Sequence, residues 1–166
     1  MEFPSAVEII LEKEGGYVWD KKDPGGETNF GISKAAYPQI DIKELTVGHA
    51  KLIYENDYWN ACKCSGLPEE IRLIVFDCAV NQGVFVAGYI LQSIIQSDHR
   101  TIKQDGQIGP KTLAAVKTYS YNHGARNLLL TYAKKRILRY SKLRTYKHFG
   151  RGWVNRVFDI LQESEL

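Results

Sequence analysis

No stretch of this sequence approaches the roughly 20 uninterrupted apolar residues that a membrane helix needs, and the first residues carry acids where a secretion signal would carry a basic start and an apolar run. Stable membrane insertion and a signal peptide are therefore not expected. The three cysteines, Cys62, Cys64 and Cys78, are too few and too irregular for a disulfide framework, and a C-x-C pair with one distant partner lacks zinc-ligand spacing. They read as reduced structural thiols. His49, His99, His123 and His148 are scattered, and no H-E-x-x-H occurs, so a zinc amidase or peptidase is disfavoured and no metal or other cofactor is implied. Phosphate-loop glycines are missing, as is any ordered nucleophile and base pair.

Acid is also missing from one half of the chain. Residues 106–158 hold 12 Lys and Arg with no Asp or Glu, whereas residues 1–105 hold 16 acids against 10 bases, although the net charge is only +3. A basic half points to an anionic partner such as nucleic acid, a lipid surface or cell-envelope polymer, or simply to a solvated helix face. The densest cluster is Lys134, Lys135, Arg136, Arg139, Lys142 and Arg144, with no nucleic-acid motif beside it, so nucleic acid is not expected.

What is present is enough for a core: 166 residues, 44% of them hydrophobic, suit one compact domain. Ser5-Ala-Val-Glu8 reads as a capping box, and Val7, Ile10 and Leu11 continue a helix to about residue 14, where Gly15-Gly16 ends it. Glu14 falls on that apolar stripe, so its carboxyl is expected to face inward. Residues 15–33, rich in Gly, Asp, Asn and Thr between aromatic and β-branched residues, are the one candidate β segment.

Helical patterns then resume near Thr46. A second starts at Pro68, where Ile71 to Val80 is apolar nearly all round and marks a helix buried on most sides. Others are expected at about 84–97, briefly after Pro110, at about 124–147 and at about 153–163. The fold class is α+β and mainly α, with a small N-terminal β-hairpin.

Glycoside hydrolysis needs a carboxylic acid kept protonated near neutral pH, and burial against apolar groups achieves that. Glu14 fits. The loop after it offers Asp20 and Asp23 as carboxylates in a polar setting, Thr28 as a hydroxyl, and Gly15, Gly16, Gly25, Gly26 and Gly31 where backbone can approach a sugar. Tyr17 and Phe30 are candidates to stack on sugar faces or to pack in the hairpin. Asp77 and Asn81, one turn apart, face either a substrate or a polar pocket in the core. From spacing alone, a helix end followed by a hairpin with solvated acids accounts for these residues as well.

Glu14-Gly-Gly-Tyr17 followed by Asp23-Pro-Gly-Gly-Glu-Thr28-Asn-Phe-Gly31-Ile32-Ser33 resembles the signature of the glycoside hydrolase family 108 muramidases, many of them phage endolysins. The resemblance continues through Tyr58-Trp59, Phe76-Asp-Cys-Ala-Val-Asn-Gln-Gly83, Asp105-Gly-Gln-Ile-Gly-Pro-Lys-Thr-Leu113 and Phe149-Gly-Arg-Gly-Trp153-Val-Asn-Arg156. It covers nearly the whole chain, and its later blocks are similar to the family's peptidoglycan-binding region.

The resemblance implies a lysozyme-like domain over 1–166, with a catalytic segment 1–83 and a peptidoglycan-binding helical segment 84–166 sharing its core. It implies cleavage of the β-1,4 bond between N-acetylmuramic acid and N-acetylglucosamine, with Glu14 as general acid and peptidoglycan strands as partner. Phage-type lysozymes place an Asp nine positions after the Glu and a Thr shortly after, a pattern that Asp23 and Thr28 follow with Thr28 one position early; Asp20 competes with Asp23 as second carboxylate. Alternatives are a lytic transglycosylase, which needs no Asp, and a noncatalytic peptidoglycan-binding module. A monomer is expected, gathering in the cytoplasm and reaching the wall through a separate pore or secretion route.

Overall fold

A computed structural model describes residues 1–19 and 26–164. Among the described residues seven helices dominate: α1 Phe3–Glu14, α2 Val47–Tyr54, α3 Glu69–Gln82, α4 Val84–Ile95, α5 Pro110–His123, α6 Ala125–Tyr140 and α7 Tyr146–Ser164. Strands β1 Val18–Trp19, β2 Glu27–Asn29 and β3 Ile32–Ser33 form one antiparallel sheet in the order β1-β2-β3. The class is α+β with helices in the majority, as the sequence implies. No helix among the described residues is long and apolar enough to cross a membrane.

The chain divides into two compact units, Phe3–Asp57 and a second made of Met1–Glu2 with Tyr58–Leu166. In the first, Ala6, Val7 and Ile10 give α1 its buried stripe, and Ile32, Ile42, Leu45, Ala50 and Tyr54 are buried with them. Ser5 lies inside α1 instead of capping it, because the helix already starts at Phe3 with Pro4 in its first turn. Thr46 is the true cap of this unit: its hydroxyl accepts from the His49 amide at the start of α2. After α2 the helix widens into a π turn, Glu55–Asn60.

The second unit is built around α3. Ile71 and Leu73 through Ala79 are buried, so this helix has no solvent face to speak of and packs against α4, α6 and α7. Each fully buried aliphatic side chain contributes about 1.5–3 kcal/mol, and that run makes α3 the axis of its unit. Trp59 meets the Phe76 ring edge-on at a centroid distance of 5.3 Å. Cys62, Cys64 and Cys78 are all buried free thiols, and burial pushes the Cys64 and Cys78 thiols up from their ordinary range.

The Asp105-Gly-Gln-Ile-Gly-Pro110 segment is a clasp between α4 and α5. The buried amide of Gln92 donates to Asp105 Oδ1 at 2.8 Å and to the Gln107 carbonyl at 2.9 Å, while its oxygen accepts from the Gly106 amide at 2.8 Å. Gly88 makes this approach possible, since a Cβ there would stand 2.1 Å from the Gly106 carbonyl oxygen. Helix α5 spans 14 residues where a brief helix is expected. Helix α6 stops at Tyr140 and α7 begins at Tyr146, so the expected break near 147–153 falls earlier in the chain.

Candidate active site

Glu14 is the last residue of α1, half-buried at the point where the chain turns into the sheet. What it meets is set by the β2–β3 hairpin. Asn29 pairs with Ile32, which leaves a two-residue turn, Phe30-Gly31, with φ of +50° and +75°. Two successive positive φ values match the twist of the flanking strands. Glycine takes that conformation freely, but a bulky aromatic does not, at a cost of order 1–3 kcal/mol. The buried Tyr54 hydroxyl offsets part of it by donating to the Phe30 carbonyl at 2.8 Å.

Gly31 is fixed twice over. A Cβ on it would lie 2.7 Å from Tyr54 Oη, 2.8 Å from Glu14 Oε2 and 2.9 Å from Glu14 Cβ. The space on the Cβ side of this glycine is thus filled by the protein's own carboxylate and phenol. The same packing brings Glu14, Tyr54 and the Phe30-Gly31 turn together within one unit. Tyr54 is the residue that sequence reasoning missed as part of this group. It sits on an apolar stripe of α2 and reads as core, yet a buried tyrosine hydroxyl must find a partner, and that requirement was the available signal.

Thr28 is the middle residue of the central strand, paired with Val18 on one side and Ser33 on the other, and is half-buried. Side chains alternate along a strand, so Thr28 faces opposite to Asn29, whose buried amide donates to the carbonyls of Ile42 and Leu45 at 3.1 and 3.4 Å. Tyr17 is exposed just before β1, and its phenol is pushed up by local desolvation and by the charges of Glu27 and Asp41. Phe30 is half-buried in the turn. Asp20 and Asp23 lie outside the described residues.

Asp77 and Asn81 belong to the other unit. Asp77 is completely buried in α3, its Oδ2 2.8 Å from Arg136 Nη2 and its Oδ1 accepting from Arg156 Nε at 2.8 Å. It therefore sits in a polar pocket of the core, and the reading of Asp77 as a substrate contact is corrected by its inaccessibility. Arg136, counted above in the basic cluster, is equally buried. Burial alone would lower its pKa, but Cys78 and Asp77 more than offset that, and the guanidinium stays charged. It also donates to Tyr140 Oη at 3.3 Å, and Tyr140 in turn donates to Asn81 Oδ1 at 2.5 Å. Asn81 is exposed, so this chain of bonds runs from the core to the surface. Among the described residues no group of His, Cys, Asp and Glu could hold a metal ion.

Comparisons with known proteins give two matched regions and a solved relative. Residues 7–83 match the glycosyl hydrolase 108 family model, and residues 86–158 match a predicted peptidoglycan domain. The solved structure of Brucella abortus SagA is 33% identical, covers 98% of this chain and 92% of its own, and superposes with a TM-score of 0.84. Among curated proteins, none matches. The two matched regions support a peptidoglycan hydrolase or binder. The chain, with its hairpin unit around Glu14 and its helical unit around α3, belongs to the glycosyl hydrolase 108 family.

Proposed function

We propose that the protein is an N-acetylmuramidase that cleaves peptidoglycan with Glu14 as general acid. The observation that carries this reading is the setting of Glu14: a carboxyl at a helix end, half-buried against the strained Phe30-Gly31 turn that Tyr54 braces. Backbone strain of that kind is over-represented at functional sites.

In the proposed reaction Glu14 gives its proton to the glycosidic oxygen as the bond to the muramic acid carbon breaks, and oxocarbenium-like charge develops on the sugar ring. Asp23 is the second carboxylate, stabilising that charge or holding the incoming water, with Asp20 as its competitor and Thr28 as a further polar contact. Tyr17 offers an exposed aromatic face to a sugar. The basic helices adsorb the enzyme to anionic wall material, and a separate pore or secretion route brings it there for cell lysis.

The test is digestion of purified peptidoglycan by the wild type and by Glu14→Gln, with mass spectrometry of the released sugars. Reducing N-acetylmuramic ends should appear with the wild type and fall by about 100- to 10,000-fold in the variant, the range for loss of one general acid. Anhydro ends would make the enzyme a lytic transglycosylase. Wall binding without any released sugar would make it a noncatalytic binder.

A further inference from the structure

A cavity of about 210 Å³ opens in the helical unit, lined by Asn81 and Gln82 at the end of α3, Arg139 and Tyr140 at the end of α6, Leu143, and Trp153 on α7. Nothing in the reaction proposed above uses it. It is smaller than the roughly 300–1,000 Å³ pockets that enclose drug-sized ligands, so it suits one sugar unit instead of a strand. We propose that it is a subsite for a single N-acetylated amino sugar that carries a carboxylate, as N-acetylmuramic acid does. This rests on the peptidoglycan reading and extends it to a second place on the chain.

The chemistry of the lining supports that ligand group by group. Gln82 donates weakly to the Cys78 sulfur at 3.7 Å, which leaves its Oε1 buried with no hydrogen-bond partner. A buried acceptor without a donor is costly, by about 1–3 kcal/mol, and an acetamido N–H supplies what it lacks. Asn81 commits its oxygen to Tyr140, so the amide hydrogens of Asn81 are what it can offer to an acetyl carbonyl. Arg139 is exposed and makes no ion pair among the described residues, in a stretch of sequence with no acid to pair with it. Its planar fork suits a carboxylate.

The wall of the cavity is apolar and already in place. The rings of Tyr140 and Trp153 stack at 4.9 Å with an interplanar angle of 25°, and Tyr140 is pinned by Arg136 and Asn81. A sugar's C–H face or an acetyl methyl meets rings that need not be reorganised on binding. A bare phosphate or carboxylate would leave Gln82 unsatisfied, and a plain hexose, whose hydroxyls can donate to Gln82, would leave Arg139 without a carboxylate.

The probe is the disaccharide of N-acetylglucosamine linked to N-acetylmuramic acid, which lacks the bond the enzyme is proposed to cleave. N,N′-Diacetylchitobiose (chitobiose below), with acetamido groups but no carboxylate, is the comparator. The signal is the Trp153 indole N–H in NMR titrations, identified by its loss in Trp153→Phe. The disaccharide should shift it saturably. Arg139→Ala, at an exposed position, should weaken the disaccharide by about tenfold, in line with one charge-assisted hydrogen bond, and leave chitobiose unchanged. Gln82→Leu should weaken both.

No shift of the Trp153 signal, or equal binding of the disaccharide by wild type and Arg139→Ala, would overturn the subsite. That result is separable from failure of the muramidase reading. Released reducing ends without disaccharide binding sinks the subsite alone, and binding without released sugar sinks the hydrolase alone.

Discussion

Glu14 and Asp77 are both carboxylates at helix positions flanked by apolar neighbours, one in each unit, and their surroundings give them opposite properties. Asp77 sits mid-helix, sealed from water, with each oxygen 2.8 Å from a guanidinium nitrogen. Glu14 sits at a helix end, half-open, beside a phenol and a strained turn. A carboxylate held between two arginines in the core ties α3 to α6 and α7. One left partly exposed is within reach of a ligand. Accessibility, more than residue type, separates the clamped acid from the one proposed to act on substrate.

The comparison breaks hardest at Asp77. Asp77→Ala leaves the fully buried Arg136 without this counter-charge, and should cost about 3–5 kcal/mol, the range for removing one partner of a buried ion pair. Urea unfolding, or recovery of soluble protein if the loss exceeds the total stability, reads it; an unchanged midpoint would mean the clamp is not a structural element. Glu14→Gln should move the same midpoint very little.

Gly31→Ala comes next. It forces a side chain into a left-handed turn and against Tyr54 Oη and Glu14, and should cost about 1–3 kcal/mol together with most of the activity on peptidoglycan. A variant with wild-type activity would detach the turn from the site. Tyr54→Phe removes only the hydroxyl that holds the Phe30 carbonyl, for about 0.5–1.5 kcal/mol, with a loss of activity larger than that small destabilisation explains.

A third carboxylate lies between the two extremes. Asp105 is exposed, and hydrogen bonds from the Gln92 amide and then the Gln107 backbone hold its pKa below the ordinary 3.8. A lowered folded-state pKa contributes stability that is present above the unfolded value and is lost as pH falls through the folded one. The wild type should therefore exceed Asp105→Asn slightly in urea midpoint at pH 6, and the gap should shrink by pH 3. A gap that widens in acid would refute the clasp.

Much of this architecture was legible in the residues. The apolar run Ile71 to Val80 announced a buried helix, and α3 is one. The glycines and β-branched residues between 15 and 33 announced the hairpin. The end of the first helix placed Glu14 against it. The α6–α7 break was not legible, because Ser141 to Thr145 contains no glycine or proline and is helix-compatible in every residue. Gly150 lies inside α7, where a Cβ would stand 2.6 Å from the Tyr146 ring, so it serves packing there.

Charge was the second illegible feature. Arg136 reads as one of a run of surface bases, yet it occupies the stripe of Leu128, Leu129, Tyr132, Ala133 and Tyr140 that faces the core. The three- and four-residue spacing of that stripe was the usable signal. Asp77, which it neutralises, lies 59 positions earlier in the chain, and no local pattern joins the two.

The matched regions meet near residues 83 and 86, whereas α3, wholly inside the first region, packs with α4, α6 and α7 of the second. What is inherited as a sequence module is therefore not what coheres as a folded one. A chimera that exchanges the C-terminal region at residue 84 would confront the old central helix with foreign partners and strand Asp77 among arginines that are no longer there. Shuffling of the binding region between relatives is accordingly constrained to donors that keep this helix's neighbours, and a graft has better prospects if α3 travels with it.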